Sequence, residues 1–170
     1  MHRGLTPAVP HMPTPRHSVI AEPPRDPTQL ARSTADALCR AAMECCRQHD
    51  RSARIPAGDD GELEHRHADE LCRLCDGSLN ELSDAYTTAA AELHPSGDQA
   101  WWHKANALWH ASREYARRHA GCDALSKRVS AKHDSGRLGE MQVEYELEAS
   151  ALLALRHAAE AYRATRPELG

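Results

Sequence analysis

The stretch WWHKANALWHASREYARRHAGC, residues 101–122, decides how the chain folds. Trp101, Ala105, Leu108, Ser112, Tyr115, His119 and Cys122 recur along it alternately four and three residues apart. That spacing puts seven side chains on one face of an α-helix. The same rhythm appears three more times. It runs through Ala31, Ala35, Leu38, Ala42, Cys45 and His49, and again through Cys75, Leu79, Leu82, Tyr86, Ala89 and Leu93. The last series is Leu138, Met141, Tyr145, Glu148, Leu152, Leu155, Ala159 and Tyr162.

Helix-start chemistry precedes the first three stripes. Asp26-Pro27-Thr28-Gln29 offers an acceptor at the N-cap and proline at the first helical position. Asp59 with Glu62, and Ser96 with Gln99, have the spacing of a capping box. The fourth start, near Ser135, is diluted by Gly136 and Gly139. The predicted helices span about 27–48, 60–93, 97–131 and 137–165. Gly77 is expected to kink the second and Gly121 to end the third early.

Four such stripes joined by short loops predict an all-α, up-down antiparallel four-helix bundle over residues 26–167. Two helical hairpins pairing between chains would satisfy the same pattern. Seven of the ten prolines fall at or before Pro27, so residues 1–25 read as a disordered, Pro-rich tail.

Composition narrows the function. The 170 residues carry 21 Lys and Arg against 25 Asp and Glu, a net charge of -4, which argues against a nucleic-acid or anionic-membrane partner. No apolar run approaches the ~20 residues of a membrane-spanning helix. No secretory signal is visible at the start, so a cytoplasmic location is expected. The chain has no Phe, but it has 12 His and 6 Cys, and without export those cysteines read as thiols or metal ligands rather than as a disulfide framework.

The informative positions are polar residues on stripes that should be apolar. A helical wheel puts Cys45 at the centre of the first stripe. Cys75 is central on the second with Cys72 at its edge, His119 is central on the third with Cys122 beside it, and Glu148 lies on the fourth with Glu144 one turn earlier. In an up-down bundle all seven fall in the same half. Thiolate, imidazole and carboxylate are metal-binding side chains, and this mixture favours zinc, copper or iron over magnesium or calcium. The expected inner set is Cys45, Cys75, His119 and Glu148, with Cys72, Cys122 and Glu144 as alternates or supporting groups. The pattern also admits a purely structural reading. Buried cysteines act as small hydrophobes, His119 bonds Glu148 or Tyr145, and the glutamates pair with arginines.

Other features carry less. Cys72-Arg-Leu-Cys75 follows no strand, as a redox C-x-x-C would, and Asp76 stands where haem attachment requires histidine. A thiol switch using Cys72, Cys75 and Cys122 is a further alternative. Trp101, Trp102 and Trp109 gather at the other end of the bundle, where they serve either core packing or docking of a second copy or another protein. No nucleotide-binding, hydrolase or metalloprotease motif is present. The expectation is a non-catalytic bundle that binds a transition metal for storage, sensing or structure.

Overall fold

The first helix begins where its cap chemistry dictates. The Asp26 carboxylate accepts from the Thr28 N–H at 2.9 Å, and Pro27 occupies the first turn, where a missing N–H costs no hydrogen bond. Helix α1 then runs Pro27–Ser52, α2 Glu62–Ala91, α3 Gln99–Lys132 and α4 Leu138–Arg163. A 3-10 turn, Ser135–Arg137, leads into α4, and a second, Pro167–Leu169, follows it. The computed structural model describes residues 26–55, 62–93, 99–132 and 135–169. The expected tail, residues 1–25, lies outside the described residues, as do the expected caps Asp59 and Ser96. Among the described residues there is no strand.

The architecture is an all-α four-helix bundle. Helices α1 and α2 form one close hairpin and α3 and α4 the other; α1 meets α4 and α2 meets α3 to close the ring. The buried stripe of α1 is Ala31, Ala35, Leu38, Ala42 and Cys45, all inaccessible to solvent. Its small side chains let the neighbouring backbones come close. Bulk comes from the other helices: Leu79 and Tyr86 on α2, Leu108 and Tyr115 on α3, Leu155 and Tyr162 on α4. Three fully buried tyrosines thus do the work that the absent phenylalanines would do. Each bury-and-bond requirement is met, because a phenol needs a partner for its hydroxyl. Tyr86 donates to Asn106 at 3.1 Å, Tyr162 to Asp36 at 2.7 Å, and Tyr115 to Asp76 at 3.1 Å.

Asp36 also receives Arg166 Nη2 at 2.7 Å, so a carboxylate early in α1 is neutralised by an arginine beyond the end of α4.

Several sequence expectations change in detail. Helix α3 continues through Gly121, so that glycine does not end it early, and α2 is likewise one helix through Gly77. A helical glycine costs only about 1 kcal/mol relative to alanine, less than the packing of either stripe supplies. At Gly121 an added Cβ would sit 3.8 Å from Glu144 Oε2. The stripe of α2 is rotated from the expected one. It consists of Ala68, Cys72, Asp76, Leu79, Ser83, Tyr86 and Ala89, so Cys72 faces inward and Cys75 sits at the margin.

The first half of α4 is more exposed than its periodicity implied, with Leu138 53% and Tyr145 43% accessible. Helix lengths explain this. His49 already stands beside Tyr115, so α1 ends one turn later at Ser52, while α3 runs on to Lys132. The α4 residues opposite that overhang have no α1 surface to pack on.

No described helix is long and apolar enough to cross a membrane.

Candidate metal centre

Cys45 and His49 are four apart on α1, hence on one face of it. Asp76 enters from α2, Tyr115 and His119 from α3, and Glu148 from α4. Cys45, His49 and Asp76 each offer a ligand atom, and these atoms lie within 4.8 Å of one another. The Cys45 thiol donates to Asp76 Oδ1 at 3.4 Å. The Tyr115 hydroxyl donates to the same oxygen at 3.1 Å and lies 2.6 Å from His49 Nε2. A phenol has one hydrogen, so when it goes to Asp76 the imidazole must donate to the phenol oxygen.

Asp76 Oδ2 has a different environment. It is buried and accepts no hydrogen bond. His119 Nε2 lies 3.0 Å away, but out of line for donation. The other ring nitrogen of His119, Nδ1, contacts Glu148 Oε1 at 2.5 Å. His119 is therefore held between two carboxylates, stacked on Tyr115 at 5.9 Å between ring centroids and edge-on to His49 at 6.1 Å. Its side chain is 32% exposed, against full burial of Cys45 and Tyr115, so solvent meets the group on the His119 side.

The electrostatics follow from this placement. The hydrogen bond to Glu148 raises the pKa of His119 above its ordinary value, against the opposing effect of burial. Burial alone would raise Glu148, yet the bonds from His119 and Cys122 outweigh it and leave Glu148 lowered. His49, buried without such a carboxylate bond, is pushed down. Burial, reinforced by Asp76, pushes the Cys45 thiol far up. Tyr115 is raised by burial, then by neighbouring Cys45 and Asp76.

The seven sequence-derived candidates separate into three groups. Cys45 and His119 contact Asp76, and Glu148 joins them through His119. Cys122 is buried beside Glu148, and Cys72 is buried near Asp76; burial raises these thiols to about 12 and about 11. Cys75 and Glu144 lie away from the group. Cys75 lines a groove with Ala41, Glu44, Leu71 and Leu74, and Glu144 pairs with Arg118 at 3.8 Å. His49 lies on the α1 seam but outside the ligand set that the sequence suggests, and in the sequence Asp76 stands out only as the wrong residue for haem attachment. The usable signal for Asp76 was the alternative α2 stripe through Cys72 and Leu79. Two polar members, Asp76 and Ser83, made that stripe look like the wrong face.

All six cysteines are free thiols. Every one is shifted upward, with burial the leading cause, which works against the thiolate that disulfide exchange requires. The tryptophans are engaged within the bundle. Trp101 is buried beneath the Arg32 guanidinium at 4.8 Å, Trp102 packs on Tyr86, and Trp109 Nε1 donates to Thr87 Oγ1 at 2.9 Å.

No family model matches the chain, and neither a curated protein nor a solved structure does.

Proposed function

We propose that the protein is a transition-metal-binding helical bundle. Cys45, His49 and Asp76 are the core ligands of the ion, His49 through Nδ1 because its Nε2 is given to the Tyr115 phenol, and His119 completes the set through Nε2. One observation carries the reading: ligand atoms of Cys45, His49 and Asp76 lie within 4.8 Å of one another, and the buried second oxygen of Asp76 has only the His119 imidazole beside it, at 3.0 Å and without a well-aligned hydrogen bond. A buried carboxylate oxygen is costly without a donor or a cation, and once His119 is neutral a metal ion supplies the missing charge.

The rest of the network suits this role. Glu148 on Nδ1 of His119 is the carboxylate–histidine arrangement that orients a ligating imidazole and leaves Nε2 for the metal. Mixed sulfur, nitrogen and oxygen donors favour zinc, then copper or iron, over magnesium or calcium. Cys45 keeps its proton until a cation replaces it, so loading releases protons and strengthens as pH rises. Because the ligands come from three helices, the binding free energy adds to the stability of the bundle. A structural or sensing role fits that coupling.

Elemental analysis of freshly purified protein, beside a Cys45→Ala, His49→Ala double variant, tests the reading. The expected result is a single zinc, copper or iron ion per chain, lost in the variant. Wild-type protein that holds no metal and takes up none of the three when they are added overturns it.

A further inference from the structure

Tyr115 belongs to no ligand set read from the sequence, yet its hydroxyl touches two of the proposed ligands. It donates to Asp76 Oδ1 at 3.1 Å and lies 2.6 Å from His49 Nε2. The ring is wholly inaccessible to solvent and sandwiched by imidazoles, edge-on to His49 at 5.7 Å and stacked on His119 at 5.9 Å. The hydroxyl therefore cannot swing away without moving the core. Its effect on Asp76 is to divide the carboxylate. Oδ1 is occupied by the phenol and the Cys45 thiol, while Oδ2 is left without a donor on the His119 side.

Resting on the metal reading above, we propose that Tyr115 is a positioning residue that sets which metal the centre accepts. By holding Oδ1, it restricts Asp76 to a single ligand oxygen, Oδ2. The centre is then limited to one sulfur, two nitrogens and one oxygen, the tetrahedral set of zinc. A carboxylate free to chelate through both oxygens would add a fifth donor and suit larger ions that take higher coordination numbers, such as manganese. The phenol stays protonated throughout and is not itself a ligand.

The test uses the full chain, Tyr115→Phe, and Tyr86→Phe as a control, because Tyr86 is equally buried but its hydroxyl bonds Asn106. Cobalt(II) serves as the probe, since its visible bands are intense in tetrahedral sites and weak at higher coordination. Wild type and Tyr86→Phe should give the intense spectrum. Tyr115→Phe should still bind cobalt with weakened bands, lose about 10-fold or more in zinc affinity and narrow its preference for zinc over manganese. A Tyr115→Phe protein with the wild-type cobalt spectrum and zinc affinity overturns this inference while leaving the metal reading intact. The same changes in Tyr86→Phe also overturn it, since they would show a general response to core softening. A wild type that binds no cobalt or zinc overturns the metal reading, and this inference with it.

Discussion

His119 Nε2 approaches Asp76 Oδ2 to 3.0 Å without a well-aligned hydrogen bond, although Asp76 is buried and the His119 side chain is only 32% exposed. Two polar atoms this close and unbonded form an incomplete arrangement. Asp76→Asn should settle what completes it. The amide keeps an acceptor for Tyr115 and presents an N–H₂ toward His119, so at alkaline pH, where the imidazole is neutral and Nε2 can accept, the metal-free variant should match or exceed wild-type stability by about 1 kcal/mol. It should also lose metal binding. Added zinc should raise the melting temperature of wild type and leave Asp76→Asn unmoved. Equal zinc-induced shifts in both proteins would remove Asp76 from the ligand set.

The His119–Glu148 pair predicts a pH signature in the metal-free protein. His119 has its folded pKa raised above the ordinary 6.5, so its contribution is complete below that value and is lost as pH rises through the folded pKa. Glu148 has its folded pKa lowered, so its contribution is present above 4.5 and is lost as pH falls through the folded value. The pair is thus fully effective between about pH 4.5 and 6.5. In urea titrations with chelator present, the stability gap between wild type and His119→Gln should be widest in that window and shrink toward alkaline pH. A gap that widens with pH would show that His119 is neutral in the folded state. His49, lowered by burial, acts in the opposite direction, which is why the comparison is made between variants rather than on wild type alone.

Two leucines on α4 test the register of that helix. Leu155 is completely buried and Leu153 is 52% exposed, two residues away. Leu155→Ala should cost about 2–5 kcal/mol through lost burial and a residual cavity. Leu153→Ala should stay within about 0.5 kcal/mol. Denaturant unfolding measures both, and comparable losses at the two positions would mean that α4 is rotated from the orientation that brings Glu148 to His119.

How much of this was readable beforehand differs by element. Helices α1 and α3 kept the phase their periodicity implied, from Ala31 to Cys45 and from Trp101 to Cys122, because their stripes contain few competing residues. The wheel misjudged α2. The expected and observed stripes share Leu79, Tyr86 and Ala89, but a small rotation puts Asp76 and Ser83 inside and leaves Cys75 and Leu82 at the margin. Local hydrophobicity cannot reveal that a buried aspartate will be bonded by a tyrosine on another helix, since that is a property of the assembled bundle. The convergence of Cys45, His119 and Glu148 was legible from topology, because up-down connectivity fixes which halves of helices are neighbours. The preference for Glu148 over Glu144 follows from its place on the α4 stripe, but the partner of Glu144 does not. That partner is Arg118, which sits near Glu144 and draws it to the α3–α4 margin. The exposed start of α4 was hidden for a similar reason: it depends on where α1 stops relative to α3.

The bond from Arg166 to Asp36 spans 130 positions of sequence, and that from Tyr162 spans 126. During synthesis, α1 leaves the ribosome with a carboxylate on its inward face whose two partners have not yet been made. The first helix therefore cannot be finally enclosed while the chain is growing. It must wait, solvated on that face, until the arginine beyond the fourth helix emerges. Closure of the bundle is in this sense a late and collective event rather than a helix-by-helix accretion.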